Sequence, residues 1–269
     1  MITDKLLIPE IPLNYDKIKI DVGLSYSAVH SSVWMHKEPN LFVFGFEPLP
    51  MAVKNLAEFN GIINNPLHFQ RIHKNRFQIY NIALSDVKEI TQQKFYVNDL
   101  DMGCSSFWKP KKNSTIDKIG KEINVSVWNL EMWFEKFYEK YPNRFPYINH
   151  IKVDTQGCDL KVAKGAGKWL KEKVVFITLE ADGRYYENCI LEEKNLDEYM
   201  VDELGFIKVT HSHCSDPTYL NPKFEHLSDI YIMQGVFRKC DIKRRIKMLK
   251  GKKIIYTKKS WKERRNEKN

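Results

Sequence analysis

Short apolar runs alternate with segments of helical periodicity along most of the chain. The run at 41–46 (LFVFGF) is almost continuously apolar, which is typical of a strand buried on both of its faces. Similar patterns predict six further strands, at 17–22, 77–84, 149–153, 174–179, 206–209 and 230–237. Apolar residues at helical spacing predict helices near 33–36 and at 49–59, 130–138, 160–170 and 196–204.

Strands that alternate with helices are typical of a parallel sheet covered by helices. The predicted fold class is α/β, with a doubly wound, mostly parallel, seven-stranded sheet and helices on both faces. Residues 1–237 form one domain in this interpretation, and residues 238–269 form a basic C-terminal extension. The segment 99–118 is interpreted as an excursion between the third and fourth strands.

Acidic residues stand at the ends of four predicted strands. They are Asp21, Glu47, Asp154 and Glu180, and Ser85-Asp86 closes another strand. In open parallel sheets, ligands bind at the carboxyl ends of the strands, near the point where the strand order reverses. We therefore expect these side chains to meet at one edge of the sheet.

The composition is that of a globular protein, with 269 residues, 43% hydrophobic residues, 29% charged residues, 12 Gly and 11 Pro. No apolar run is long enough to span a membrane, and the first residues do not resemble a secretory leader. The five cysteines are scattered and form no CxxC pair, which favours reduced thiols and a cytoplasmic location.

The net charge of +9 is concentrated at the C-terminus. Residues 238–269 contain 15 Lys/Arg and three acids, which leaves 28 Lys/Arg and 31 acids in the rest of the chain. The extension is interpreted mainly as a solubilising end. Nucleic-acid binding or contact with an anionic membrane face are the alternatives, but neither is favoured because the body of the protein is nearly neutral.

Two strand ends together indicate a nucleoside ligand. The first is the turn Asp21-Val22-Gly23, which offers backbone N–H donors, and the second is Phe46-Glu47-Pro48, whose carboxylate suits the two hydroxyls of a ribose. No GxGxxG or GxxxxGK[ST] pattern occurs, so a ligand without phosphates, such as S-adenosylmethionine, fits better than a dinucleotide or a nucleoside triphosphate. The alternative is an ordinary strand-to-helix turn followed by a surface glutamate.

The chain resembles the FkbM-type methyltransferases, a branch of the Rossmann-like class I S-adenosylmethionine enzymes, over roughly 21–231. The segments that carry the resemblance are Asp21-Val22-Gly23, Phe46-Glu47-Pro48, Ala83-Leu84-Ser85-Asp86, Gly103-Cys104-Ser105-Ser106, Ile151–Leu160 and Gly165-Ala166. One departure is Ser27, which stands where the family often has a second glycine.

The resemblance implies a cofactor, a reaction and residue roles. The cofactor would be S-adenosylmethionine, held by Asp21, Gly23, Ser25, Ser27, Glu47, Pro48, Ala83, Leu84, Ser85 and Asp154. Glu47 would hold the ribose, and Asp154 would face the methyl group. The acceptor would be a small molecule or glycan that is methylated on a sugar hydroxyl. Such an acceptor must lose a proton, for which Asp154 is the first candidate and Glu180 the second.

Other interpretations remain open at this point. One is a nucleoside-binding module of the same fold without catalysis, and another is an RNA methyltransferase that uses the basic extension. A metal site at His211 and His213 is disfavoured because no partner cluster completes it. His150 is interpreted as a core or edge histidine, and Tyr185-Tyr186 either forms a wall for a sugar or base or belongs to an ordinary surface loop.

Overall fold

The structure, a computed structural model, describes residues 2–3, 7–58, 74–99, 101–117, 119–181, 183–210 and 215–227. The strands in chain order are β1 (Ile2–Thr3), β2 (Lys17–Val22), β3 (Leu41–Phe46), β4 (Phe77–Tyr80), β5 (Ala83–Leu84), β6 (Thr91–Asn98), β7 (Ile119–Trp128), β8 (Ile148–Val153), β9 (Val174–Leu179), β10 (Ile207–Lys208) and β11 (Thr218–Leu220). The α-helices are α1 (Val29–Lys37), α2 (Pro50–Glu58), α3 (Leu130–Lys140), α4 (Asp159–Lys164), α5 (Trp169–Lys173) and α6 (Glu193–Asp197).

The larger sheet is mostly parallel, as predicted. Its order is β1-β4-β3-β2-β8-β9-β11-β10, and only the pairings of β11 with β9 and with β10 are antiparallel. From β2 the chain builds outward through β3 and β4, then returns to place β8 on the other side of β2. The strand order therefore reverses between β2 and β8, where a crevice is expected at the carboxyl ends.

Helices cover both faces of this sheet because β3 is apolar at every position. Phe44 packs with α3 through Trp133, at 4.9 Å between ring centroids, and α4, α5 and α6 belong to the same apolar cluster. On the opposite face, Leu41 and Val43 pack with Trp34 of α1 and with α2. The prediction of an α/β fold with helices on both faces is confirmed.

A second, three-stranded sheet differs from the sequence prediction. The predicted strand at 77–84 is two strands in different sheets, because Asn81 turns aside and donates to the backbone oxygens of Glu47 and Pro48. The excursion predicted at 99–118 contains a 3₁₀ turn, Met102–Cys104, and lies between β6 and β7, which pair with each other beside β5.

Several element boundaries also differ. The helix predicted at 160–170 is two helices, because the Gly165–Gly167 turn separates α4 from α5. The helix predicted at 196–204 is α6, which begins earlier and continues as a π-helical turn, Glu198–Glu203. The larger sheet has eight described strands rather than the seven predicted, and the additional ones include the two-residue β1 and the unpredicted β11.

Some sequence predictions fall outside the described residues. They are the strand at 230–237, the basic extension 238–269 and the histidines His211 and His213. Within the described part of the chain, no helix has the length and apolar character needed to cross a bilayer.

The turn after β2 depends on a glycine. Gly23 has φ +83°, and a Cβ at this position would lie 1.8 Å from the carbonyl oxygen of Asp154. The Gly23 amide donates to the Phe46 oxygen at 2.9 Å, and the Asp154 amide donates to the Val22 oxygen at 2.9 Å. Gly23 thus allows the ends of β2, β3 and β8 to approach each other closely.

We predict that Gly23→Ala destabilises the protein much more than Gly205→Ala. Gly205 has a similar φ of +77° but no atom near the place of a Cβ, so its substitution isolates the cost of the backbone conformation. We expect a loss of about 1 kcal/mol in the free energy of unfolding for Gly205→Ala and of at least about 3 kcal/mol for Gly23→Ala. Urea unfolding measures both, and equal losses would contradict the close-approach argument.

Candidate functional site

A cleft lies at the point where the strand order reverses. It encloses about 680 Å³ of space, including its open mouth. Its walls come from the carboxyl ends of β2, β3 and β8, from β5 and β6, and from the 3₁₀ turn with the residues after it. The lining residues are Val22, Gly23, Ser25, Phe46, Glu47, Pro48, Ile82, Ala83, Leu84, Phe95, Met102, Gly103, Ser105, Phe107, Asp154, Thr155 and Gln156.

The structure brings together most of the residues predicted from the sequence. Those that line the cleft are Gly23, Ser25, Glu47, Pro48, Ala83, Leu84 and Asp154. Asp21, Ser27, Ser85 and Glu180 are not part of the lining. Ser85 directly follows β5, and its amide donates to the Trp128 oxygen of β7 at 2.9 Å.

Asp21 faces α1 rather than the cleft. Its Oδ2 accepts hydrogen bonds from the amide of Ser31, at 3.0 Å, and from the Ser31 hydroxyl, at 2.5 Å. This carboxylate satisfies a backbone donor in the first turn of α1, which has no side-chain cap at Ala28. Burial raises the pKa of Asp21 despite the neighbouring His30 and the bonds from Ser31.

Glu47 is held firmly at the end of β3. It is buried, its Oε2 accepts from the Ser25 amide at 2.8 Å, and its Oε1 accepts from the Leu49 amide at 2.9 Å. Burial raises the pKa of Glu47 to about 7, although the two backbone bonds oppose this change. The carboxyl group is oriented by the backbone, and each of its oxygens retains a lone pair for a ligand hydroxyl.

A pair of acidic side chains, Asp154 and Glu180, meets where β8 and β9 end, and of the two only Asp154 lines the cleft. Gln156 Nε2 donates to Asp154 Oδ1 at 2.8 Å and to Glu180 Oε2 at 2.7 Å, so that one amide joins both carboxyl groups. Lys152 Nζ lies 3.2 Å from Asp154 Oδ2 and 3.5 Å from Asp216 Oδ1. Its side chain is only 3% exposed, so this ammonium group is a buried charge compensated by carboxylates.

The two acids differ in protonation. Burial tends to raise the pKa of Asp154, but Lys152 and the hydrogen bonds outweigh burial and lower it. Burial raises the pKa of Glu180 to about 10, and the charges of Asp154 and Asp159 add to this effect. Near neutral pH the pair therefore contains one ionised carboxylate, Asp154, and one protonated carboxyl, Glu180.

Gln156 is positioned by strained backbone and by a buried tyrosine. It has φ +55°, and Gly157 follows with φ +101°, so the chain turns sharply after β8. The hydroxyl of Tyr186 lies 2.8 Å from Gln156 Oε1 and 3.0 Å from the Cys104 carbonyl oxygen. Because both carboxyl groups face Nε2, the amide can orient in one way only.

Asp159 stabilises the turn after β8 through hydrogen bonds. This carboxyl is fully buried, and its oxygens accept from the Thr155 hydroxyl at 3.1 Å and from the Glu180 amide at 3.1 Å. Burial raises its pKa to about 6, with Asp154 adding to the effect. Asp159 therefore ties the end of β8 to the end of β9.

Sequence reasoning did not identify Gln156, Lys152, Asp159 and Tyr186 as parts of this arrangement. Lys152 could have been recognised from the sequence, since a lysine inside an apolar strand needs a charged or polar partner when it is buried. Tyr186 is completely buried, and neither Tyr185 nor Tyr186 lines the cleft. The interpretation of His150 is confirmed, because it is buried in the sheet with Nε2 2.8 Å from Thr178 Oγ1.

The described residues contain no group of three or more His, Cys, Asp or Glu side chains placed to hold an ion. The histidines considered from the sequence lie in a part of the chain that the structure does not describe.

Comparison of the chain with models of known protein families, with curated proteins and with solved structures finds no match.

We predict that Glu180→Gln changes how stability depends on pH. A carboxyl whose pKa is raised by folding stabilises the protein below its unfolded pKa, and this contribution is lost as the pH rises towards the folded value. The unfolding free energy of the variant minus that of the wild type should therefore increase from about pH 5 to about pH 9. The upper limit of the slope is about 1.4 kcal/mol per pH unit.

Glu47→Gln is the matched comparison. Because the pKa of Glu47 is about 7, the corresponding difference should rise between about pH 5 and pH 7 and then level off. Urea unfolding at half-unit pH steps measures both curves. Two curves of the same shape above pH 7.5 would contradict the assignment of Glu180 as the protonated acid.

Proposed function

We propose that the protein is an S-adenosylmethionine-dependent methyltransferase that methylates a hydroxyl oxygen of a sugar or glycoconjugate. The observation that carries this proposal is that Glu47 and Asp154 line one cleft at the point where the strand order reverses. The order of the larger sheet, with an antiparallel hairpin beyond β9, also suits the Rossmann-like class I enzymes that the sequence resembles.

The lining of the cleft suits the adenosine part of the cofactor. Glu47 lies at the end of β3 with both oxygens oriented by backbone amides, which suits the paired hydroxyls of a ribose. Beside it, an apolar slot would take a flat adenine ring. The residues of this slot are Ile82, Ala83, Leu84, Phe95 and Phe107.

Asp154, in the same lining, suits proton transfer. S-adenosylmethionine supplies, when bound, a methyl group on a positively charged sulfur, which is transferred to the acceptor oxygen. Asp154 accepts the proton that the acceptor hydroxyl gives up, since Lys152 keeps this carboxylate ionised. Gln156 and the protonated Glu180 hold Asp154 in one orientation.

We predict that Glu47→Gln weakens binding of S-adenosylhomocysteine, the demethylated cofactor. The substitution removes one acceptor oxygen and the capacity for negative charge, which should raise the dissociation constant about 10- to 100-fold. Isothermal titration calorimetry measures the constant, and circular dichroism checks that the fold is retained. Glu122→Gln, a change on the exposed surface of β7, is the control and should bind like the wild type. Undiminished binding by Glu47→Gln would remove the ribose assignment.

We predict that Asp154→Asn lowers turnover much more than cofactor affinity. The asparagine keeps the shape but cannot accept the proton, so transfer of tritiated methyl groups should fall about 100-fold or more. The dissociation constant of S-adenosylhomocysteine should change no more than about threefold. Equal losses in both would make Asp154 a cofactor residue instead of the base.

The acceptors in that assay distinguish the other candidate functions. Monosaccharides, sugar phosphates and total RNA are each offered with the tritiated methyl donor. Label in the sugars supports the proposal, whereas label in RNA favours an RNA methyltransferase. Cofactor binding without label in any acceptor favours a nucleoside-binding module.

A further inference from the structure

A basic and aromatic surface lies next to the Gln156-Gly157 turn, which follows β8 at the cleft. It consists of Trp108, Tyr185 and the exposed lysines Lys109, Lys111, Lys112 and Lys161, and we call it the Trp108–Tyr185 patch. Lys161 Nζ lies 5.2 Å from the centre of the Trp108 ring, and the guanidinium of Arg184 lies 5.0 Å from that of Tyr185. Each of the two aromatic rings thus has a cation near it.

Backbone pairing between two loops gives the patch a defined shape. The Lys111 amide donates to the Tyr185 oxygen at 2.8 Å, and the Glu187 amide donates to the Lys109 oxygen at 2.7 Å. Pro110 and Tyr186 form an antiparallel bridge between these two bonds. The lysines therefore project from paired backbone rather than from an unsupported loop.

Hydrogen bonds connect the patch to the wall of the cleft. The Trp108 indole Nε1 donates to the Gly157 oxygen at 3.1 Å, and the Trp108 amide donates to Ser106 Oγ at 3.0 Å. Ser106 Oγ in turn donates to the oxygen of Gln156 at 2.7 Å, and Gln156 lines the cleft. Trp108 thus binds the backbone of Gly157 directly and that of Gln156 through Ser106. The side chain of Gln156 in turn binds Asp154 and Glu180.

The balance of charge on this surface is positive. None of the ion pairs between described residues involves Lys109, Lys111, Lys112 or Lys161. Among the described residues 108–117 and 183–190, two are acidic: Asp117 accepts a hydrogen bond from the Asn113 amide, and Glu187 is half-buried. Lys111 and Lys161 both act on the thiol of Cys189, where they oppose the rise in its pKa that burial causes. Both ammonium groups therefore contribute positive charge near the Cys189 thiol.

We propose that the Trp108–Tyr185 patch binds a negatively charged group of the acceptor, so that the substrate is an acidic saccharide carrying a phosphate or a carboxylate. This inference rests on the proposed function. An oxyanion is attracted by the lysines and repelled by the ionised Asp154, which orients the molecule with its charged end on the patch. The aromatic rings offer apolar faces for the sugar, and its hydroxyl is then directed towards Asp154.

The test uses the full-length protein without cofactor and three sugars. Glucose 6-phosphate and glucuronate carry the two kinds of oxyanion, and glucose is the neutral reference. The ¹⁵N signal of the Trp108 indole, assigned with Trp108→Phe, reports binding at the patch. We expect both acidic sugars, or the one whose oxyanion fits, to shift this signal with a dissociation constant on the order of 1 mM at low salt. We expect at least about tenfold weaker binding of glucose.

Two double variants with the same change in net charge provide the control. The double variant Lys111→Gln, Lys161→Gln should weaken binding of the acidic sugar at least about fivefold. The control is the double variant Lys171→Gln, Lys223→Gln, whose lysines are exposed on α5 and on the Pro222–Leu227 turn. The control should change the binding less than about twofold. Equal effects of the two double variants, equal binding of glucose, or no saturation by either acidic sugar up to about 20 mM would overturn the inference.

A separate titration of the wild type with S-adenosylhomocysteine distinguishes the two proposals. Absence of this binding overturns the proposed function and the acceptor assignment with it. Binding of S-adenosylhomocysteine without binding of acidic sugars overturns only the inference about the patch.

Discussion

The site depends on the ion pairs that the buried ammonium group of Lys152 forms with Asp154 and Asp216. Several carboxyl groups meet where β8 and β9 end, and ionised groups in a buried place are costly unless a cation compensates them. Lys152 lies inside the sheet against Asp154 and Asp216, and it keeps Asp154 ionised while Glu180 takes up a proton. The charge of Lys152 thus compensates the acidic cluster. It also leaves Asp154 as a base and Glu180 as an acid.

The geometry of the cleft follows from the way the chain builds its sheet. Because β3 and β8 lie on either side of β2, the helices that follow β2 and β8 cover opposite faces and leave a crevice above their ends. Gly23 permits the close approach of the strand ends there, and Glu47 and Asp154 both line the crevice. Asp21, at the same edge, serves α1 instead, so a polar residue at a strand end is not by itself a ligand-binding residue.

The fold was predictable where the apolar pattern has one interpretation. The strands β3 and β9 were assigned correctly because they are apolar at nearly every position, as buried parallel strands usually are. The strands β2 and β8 were also assigned correctly, although buried polar residues interrupt their apolar pattern. The predictions failed where local pattern and tertiary contact compete. The break at Asn81 was not recognised, because it depends on hydrogen bonds from this side chain to the backbone of another loop. The second sheet was not recognised, because β6 carries polar residues at its exposed positions.

The sequence by itself determined the class of the fold and seven of the seventeen residues that line the cleft, because strand ends and alternation are local properties of the chain. Only the tertiary structure decided which of these residues interact. The contact of Gln156 with Glu180 joins positions 24 residues apart, and that with Tyr186 joins positions 30 residues apart. Both depend on the left-handed turn at Gln156 and Gly157 and on the relative placement of β8, β9 and the loop beyond them. Such contacts arise from the position of whole elements in space, and local spacing does not encode that position.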